Sequence, residues 1–356
     1  MQGTRNNSIY QQEIQKCCEI FKGWSVVENK TILITGATGL IGVFLIDVIM
    51  DQNKRHNSNI NIIALGRNEE RAKERLGVYW NDIRFRFMIH DVNETFHTED
   101  FKNNIDFIIH GASNTHPILY SKAPIDTIET NVIGTKNLLE LAVAQDKCRF
   151  VFMSSVEIYG ENMSDKEAFQ EEDCGYLNCN TLRACYSEGK RLGETLCQAY
   201  MATYNIDVVI PRLCRVYGPT MLATDSKVFS QFMLNTVAGD DIILKSEGKQ
   251  KYSYIYVFDA VTAILTIMTK GKKGEAYNIS DINSDITLKE LAEYMASINK
   301  TKVIYQPPND KERRGYSIAT KAILNSDKLI NLGWRCQYKI HEGIRVTYNI
   351  MTNKKR

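Results

Sequence analysis

The chain has 356 residues, 44% of them hydrophobic, and a net charge of +2 with acids and bases nearly balanced. That length buries a large core and is expected to divide into two lobes, while the weak net charge argues against a nucleic-acid or membrane-surface role. Nine cysteines without paired CxxC spacing read as reduced thiols, neither a secreted disulfide framework nor a zinc site, so no metal is expected.

No charged leader with an apolar core and a small-residue cleavage site opens the chain, and no stretch has the apolar length of a membrane span. A cytoplasmic protein is therefore expected. Ile9 to Phe21 read as a leading helix used for packing or oligomer contact.

The apolar run Thr31–Ile34 leads into Thr35-Gly36-Ala37-Thr38-Gly39-Leu40-Ile41-Gly42 and then into an apolar helix. Strand, glycine turn and helix make the first βα unit of a dinucleotide-binding sheet. A side chain at Gly36 or Gly39 would block backbone approach to a pyrophosphate, Gly42 lets the helix pack on its strand, and the free N–H groups of the helix start face the phosphates. Gly36, Thr38, Gly39, Leu40, Ile41 and Gly42 are thus cofactor-contact candidates.

Asn59 to Leu65 form the second strand, ending in Gly66-Arg67-Asn68. An acid at this strand end would bind the adenosine ribose hydroxyls; here Arg67 stands instead, either to receive a 2′-phosphate, which points to NADP, or as a solvated loop charge. Arg84–Ile89 form a third strand, followed by Asp91 and Val92, where Asp91 could accept a hydrogen bond from the adenine amino group. Ile105–Ile109 form a fourth strand, ending in His110-Gly111-Ala112-Ser113, whose small residues let the backbone pass beneath a cofactor. Pro124 to Ala144 carry apolar residues at helical spacing; Asn131 on that helix either holds a neighbouring loop or is structural. Arg149 to Ser155 form another buried strand that ends in hydroxyls, where ligands bind in open α/β sheets. The alternation predicts a Rossmann-type doubly wound parallel sheet.

Tyr186-Ser187-Glu188-Gly189-Lys190 begins a further helix, with Tyr186 and Lys190 four apart on one face. A tyrosine of pKa near 10 becomes a usable base when an adjacent ammonium stabilises its phenolate, and Ser155 would hydrogen-bond the reacting sugar oxygen.

From about Lys30 onward the chain resembles the extended short-chain dehydrogenase/reductases of the nucleotide-sugar epimerase/dehydratase family. The resemblance rests on the glycine motif, Ser155, Tyr186/Lys190, the stretch Pro211 to Pro219 with its Tyr217-Gly218-Pro219 turn, Tyr254 to Val261, and Glu275 to Ile279 followed by a helix from Leu288 to Ile298. It implies a smaller α/β C-terminal lobe for the nucleoside-diphosphate sugar. Residues 1–212 with 250–270 would hold NAD or NADP, tightly bound and recycled, and 213–249 with 271–356 the substrate; a homodimer would form through the helices 124–144 and 186–204.

The implied mechanism has Tyr186 take the C4 hydroxyl proton while hydride leaves C4, after which elimination of water, loss of a C5 carboxylate or return of hydride to the other face defines the enzyme. In 4,6-dehydratases resembling this chain an Asp-Glu pair follows the hydroxyl residue; here Val156 replaces the acid and Glu157 keeps the place of the base. Ser113 to Thr135, with Tyr120, and Arg183 to Arg191 resemble UDP-glucuronate decarboxylases, which carry an arginine at Tyr252 and an asparagine at Arg215. The expectation is a lyase, a decarboxylase or dehydratase; the alternatives are a 4-epimerase, an NADPH-dependent 4-ketoreductase or a silent cofactor-sensing protein. Arg215, Lys227, Lys251, Arg313 and Arg314 are candidate diphosphate cations, with Arg313 or Arg314 leading because an arginine fork suits phosphate oxygens.

Overall fold

The computed structural model describes residues 1–101, 104–115, 122–307 and 320–353. Its main sheet is built from β1 (Thr31–Thr35), β2 (Asn61–Gly66), β3 (Phe85–Ile89), β4 (Phe107–His110), β5 (Arg149–Phe152), β6 (Ser154–Ser155), β7 (Asp207–Leu213) and one strand from late in the chain. Small strands β8 (Arg215–Tyr217), β9 (Ile242–Leu244) and β10 (Lys251–Tyr256) follow, then β11 (Ala276–Ile279), β12 (Asp285–Thr287), β13 (Val303–Tyr305) and β14 (Lys321–Ala322).

The order β11-β7-β5-β4-β1-β2-β3 is parallel throughout, with β6 also pairing β7. β1 is buried along its whole length and reads as an unbroken apolar run for that reason. The order reverses between β1 and β4, whose carboxyl ends therefore open a crevice. The expected strand 149–155 is two pieces: Met153 interrupts it, and Ser154 and Ser155 move over to pair with Arg212 and Leu213.

Residues 276–279, assigned from the sequence to the second lobe, depart from that assignment: β11 pairs with β7 at the edge of the main sheet. The remaining late strands make a four-stranded sheet, β12-β10-β14 with β8, and a β9–β13 pair. The start of the chain packs on the glycine helix Leu40–His56, where Asp47 takes the hydroxyls of Tyr10 at 2.6 Å and Tyr79 at 2.9 Å and the guanidinium of Arg5 at 2.8 Å. Among the described residues no helix is long and apolar enough to cross a membrane.

Candidate active site

At the end of β1 the chain turns through Gly36 at φ +69°, a conformation that side chains rarely adopt. A Cβ there would lie 2.6 Å from the Gly111 carbonyl, and one on Gly42 would lie 2.5 Å from Gly36 O and 2.8 Å from Ala37 Cα. Both clashes are with backbone, so neither can be relieved by a rotamer. Gly42→Ala should therefore cost about 1–3 kcal/mol of stability and weaken NAD binding, checked by thermal denaturation and NAD titration; unchanged values for both would contradict the close packing.

Gly39 precedes the helix without a side-chain cap, so the first N–H groups are open to an anion. Thr38, Gly39, Leu40 and Ile41 are half-buried around that opening. Across the crevice, Ser113 Oγ and Asn131 Oδ1 are buried and meet no hydrogen-bond partner among the described residues. A glycine-lined cradle, an open helix start and orphaned polar atoms fit a dinucleotide.

The adjoining turn is held by a buried relay that the sequence reading missed. Thr35 Oγ accepts from the backbone N–H of Gly111 and Ala112, at 3.2 and 3.0 Å, and lies 2.9 Å from His110 Nδ1; His110 Nε2 lies 3.1 Å from Thr135 Oγ. Thr135 donates to the Asn131 carbonyl at 2.6 Å. Burial, and then the Lys190 charge, push His110 well below the usual histidine range, so it bridges as a neutral ring. His110 had read only as a strand end, because nothing in a linear pattern tells that two threonines far along the chain will flank it.

Arg67 is not free to meet a phosphate. Its guanidinium sits 3.3 Å from both Asp91 and Asp126, and Asp91 also accepts from the Asn93 N–H. Two carboxylates beside the expected 2′-phosphate position repel such a group, which corrects the leaning toward NADP. Val92, next to Asp91, is buried against Gly134, where a Cβ would come within 2.7 Å. Asn131 does not hold a loop: its Nδ2 donates to the Thr127 carbonyl one turn back in its own helix.

Beyond β6, the helix Ala184–Tyr204 packs along the helix Pro124–Val143 and brings its first turns to Ser155. Tyr186 is 7% exposed and hydrogen-bonded to Ser155; Lys190 is 2% exposed and donates to the Met153 carbonyl at 2.8 Å. Burial pushes the Tyr186 phenol up to about 12 and the Lys190 ammonium down to about 8. The expected lowering of the phenol pKa is thus outweighed by burial in the protein alone, where the ammonium is turned to a carbonyl.

Ser155 also caps a short turn, Val156–Tyr159, that carries Glu157. Arg183 Nη2 lies 3.0 Å from one Glu157 oxygen and Arg215 Nη2 3.6 Å from the other. Burial raises the Glu157 pKa, but the two guanidiniums more than offset it and hold the carboxyl below its ordinary value. Val156, 5% exposed, carries no proton to donate.

Arg215 reaches Glu157 from β8, which runs parallel to β10 with Arg215 opposite Tyr254. Its guanidinium lies 3.5 Å from the centre of the Tyr252 ring, and its Nη1 is buried without a hydrogen-bond partner among the described residues. Arg215, read from the sequence as a diphosphate cation, thus belongs to the Glu157 cluster. Arg183 was quoted only within a motif, although its place three residues before Tyr186 puts it on the same helix start.

Thr220 Oγ, just past the Tyr217-Gly218-Pro219 turn, donates to the Leu40 carbonyl at 2.8 Å and so ties this turn to the glycine helix. Lys227 lies 3.3 Å from Thr115 Oγ, while Lys251 is exposed at the start of β10. Arg313, Arg314 and Tyr120 lie outside the described residues.

The model of the NAD dependent epimerase/dehydratase family matches residues 32–280. The UDP-glucuronic acid decarboxylase 6 of Arabidopsis thaliana is 32% identical over 320 residues, 89% of this chain and 87% of the relative. The dTDP-glucose 4,6-dehydratase of Bacillus anthracis, solved in complex with NAD, superposes with a TM-score of 0.76 at 21% identity, covering 92% of this chain and 97% of that one. The UDP-glucuronic acid 4-epimerase of Bacillus cereus, solved with UDP-glucuronic acid and NAD, gives 0.77 at 19% identity, covering 91% and 99%. At those identities the two structures speak to the fold.

Proposed function

The chain belongs to the NAD dependent epimerase/dehydratase family, and on that premise we propose that it is a lyase that removes the C5 carboxylate of a UDP-linked hexuronate through a transient C4 ketone. The observation that carries this reading is the Glu157 cluster. Two guanidiniums, those of Arg183 and Arg215, meet one carboxylate there, and Arg215 Nη1 is buried without a hydrogen-bond partner among the described residues. A sugar carboxylate would supply the acceptor that this guanidinium nitrogen lacks, with a charge-assisted bond that a neutral hexose does not offer. The decarboxylases named among the relatives support the same choice. Val156, which supplies no acid for a leaving water, weighs against 4,6-dehydration.

NAD supplies, when bound, a reversible acceptor for the C4 hydrogen. Gly36, Gly39, Gly42 and the helix start would hold its pyrophosphate, with Thr38, Leu40, Ile41, Asp91, Val92, Gly111, Ala112, Ser113 and Asn131 along its length. Tyr186 takes the C4 hydroxyl proton while Ser155 hydrogen-bonds the same oxygen. As carbon dioxide leaves, the electron pair of the C5–C6 bond moves into the C4 carbonyl, and Ser155 and Tyr186 donate to the enolate oxygen. Protonation at C5 and return of hydrogen to C4 close the cycle. Lys190 holds positive charge behind Tyr186, and Glu157 fixes Arg183 and Arg215. We assign residues 1–212 with 250–270 to the cofactor and 213–249 with 271–356 to the substrate, except that β10 lies in the smaller sheet and β11 in the main one. With catalytic NAD and no added oxidant, many turnovers of UDP-glucuronate without net NADH are expected; one turnover per NAD, with NADH left over, would contradict a recycled cofactor.

We also propose a homodimer through the two long helices. Ile125, Ile128 and Ile133 on one and Leu192 on the other are 42–69% exposed, an apolar stripe that a second copy would cover. Ile128→Glu with Leu192→Glu should shift the protein from dimer to monomer in sedimentation, and a wild-type monomer would contradict the assignment.

A further inference from the structure

Tyr186, Lys190 and Glu194 recur at four-residue spacing on one side of the helix Ala184–Tyr204, and the third has no part in the chemistry above. Each meets a different residue of Met153–Ser155. Tyr186 bonds Ser155, Lys190 donates to the Met153 carbonyl, and Ser154 Oγ donates to Glu194 Oε1 at 2.5 Å. Glu194 is gripped from β7 as well: Arg212 Nε and Nη2 donate to its two oxygens at 3.0 and 2.7 Å. Arg212 is fixed in turn by the Tyr159 hydroxyl at 2.9 Å and the Glu171 carbonyl at 2.6 Å, and Ser154 pairs with Arg212 across β6 and β7. The carboxylate therefore joins helix, strand end and sheet at one point, two turns from Tyr186.

We propose that Glu194 is a positioning residue: its fork with Arg212 and its bond from Ser154 set the register of the helix, so that Tyr186 and Lys190 reach the Ser155 site together. The inference rests on the catalytic reading of Tyr186 and Lys190, not on the identity of the sugar. A slip of about 1 Å in such an arrangement costs about a hundredfold in rate.

The same carboxylate acts on Lys190 through its charge. Burial lowers the Lys190 pKa, while Cys197 and Glu194 raise it. The other groups facing Lys190 are His110 from β4, held neutral; Cys197, its thiol pushed well up by burial; Tyr186, also raised; and Arg212, paired with Glu194. The helix Pro124–Val143 brings the uncharged Asn131 against this part of the helix, at Gly189. Glu194, the carboxylate among the groups that raise the Lys190 pKa, thus favours the ammonium form of Lys190. Without it the Lys190 pKa falls, so the ammonium is lost at a lower pH.

The test follows the ¹³Cε shift of Lys190 from neutral to alkaline pH in ¹³C-lysine-labelled protein, assigned by its loss in Lys190→Arg. In Glu194→Gln the midpoint should fall by about one unit, the alkaline limb of kcat/KM for UDP-glucuronate should move down with it, and kcat should drop about tenfold or more at unchanged KM. Glu194→Asp keeps the charge but cannot hold Ser154 and Arg212 together, so it should keep the Lys190 midpoint and lose kcat. A wild-type midpoint and kcat in Glu194→Gln would overturn the proposal, as would wild-type kcat in Glu194→Asp should the first variant not fold. If the wild type leaves UDP-glucuronate untouched, the sugar assignment fails while the Lys190 titration still decides the role of Glu194.

Discussion

Tyr186→Phe is expected to lower kcat on UDP-glucuronate by about a thousandfold while NAD affinity and melting temperature stay near wild type. The change removes one hydroxyl and keeps the ring, which is 7% exposed and seated on Ser155, so the packing survives. What is lost is the only phenol in hydrogen-bond contact with Ser155 among the described residues, and with it the acceptor of the C4 proton. Because burial holds the phenol near 12 in the protein alone, activity should rise with pH as long as Lys190 keeps its proton, and fall as pH passes the Lys190 value of about 8. Single-turnover formation of NADH reads the step directly. Wild-type rates in the variant would move proton transfer to another group.

Arg215→Leu should raise KM for UDP-glucuronate and reduce kcat/KM by about tenfold to a hundredfold, the cost of losing a charge-assisted contact to the substrate carboxylate at a half-buried site. UDP itself should bind as in wild type, because the guanidinium is held against Glu157 and the Tyr252 ring, where the proposed reading places the sugar carboxylate. Arg215→Lys keeps the charge but loses the planar stacking on the ring, so a partial recovery is expected. The comparison of KM for UDP-glucuronate with the inhibition constant of UDP separates loss of the carboxylate contact from general damage. Equal losses for both would place Arg215 at the diphosphate, where the sequence alone had put it.

The two arginine readings mark where linear pattern stops being informative. Strand, glycine turn and helix at residues 31–56 were legible because period, glycine spacing and close packing are local properties. Tyr186 and Lys190 were legible for the same reason, being one turn apart on one helix. Ser155 was found from its place at a strand end, although the strand itself breaks at Met153 to let β6 join β7.

What the sequence left open depends on partners distant in the chain. Arg67 read either as a phosphate receptor or as a solvated loop charge, and the sequence does not tell that Asp126, 59 residues away, stands beside it. Arg215 read as a diphosphate cation because its position in the sequence says nothing of Glu157, which the pairing of β8 with β10 brings within reach. Glu194 carried no signal in the sequence, since Arg212 and Ser154 close on it only in the fold. Residues 276–279 were given to the wrong lobe because a short apolar strand carries no mark of which sheet it will join.

The most direct test of the central claim is mass spectrometry and NMR of the product formed from UDP-glucuronate in D₂O with catalytic NAD. The account predicts loss of one carbon dioxide, a UDP-pentose carrying one solvent deuterium at C5, and no turnover of UDP-glucose beside it. A product of unchanged mass, or one that has lost water and kept its carboxylate, would contradict it and leave the Arg215 guanidinium beside Glu157 without the function given to it here.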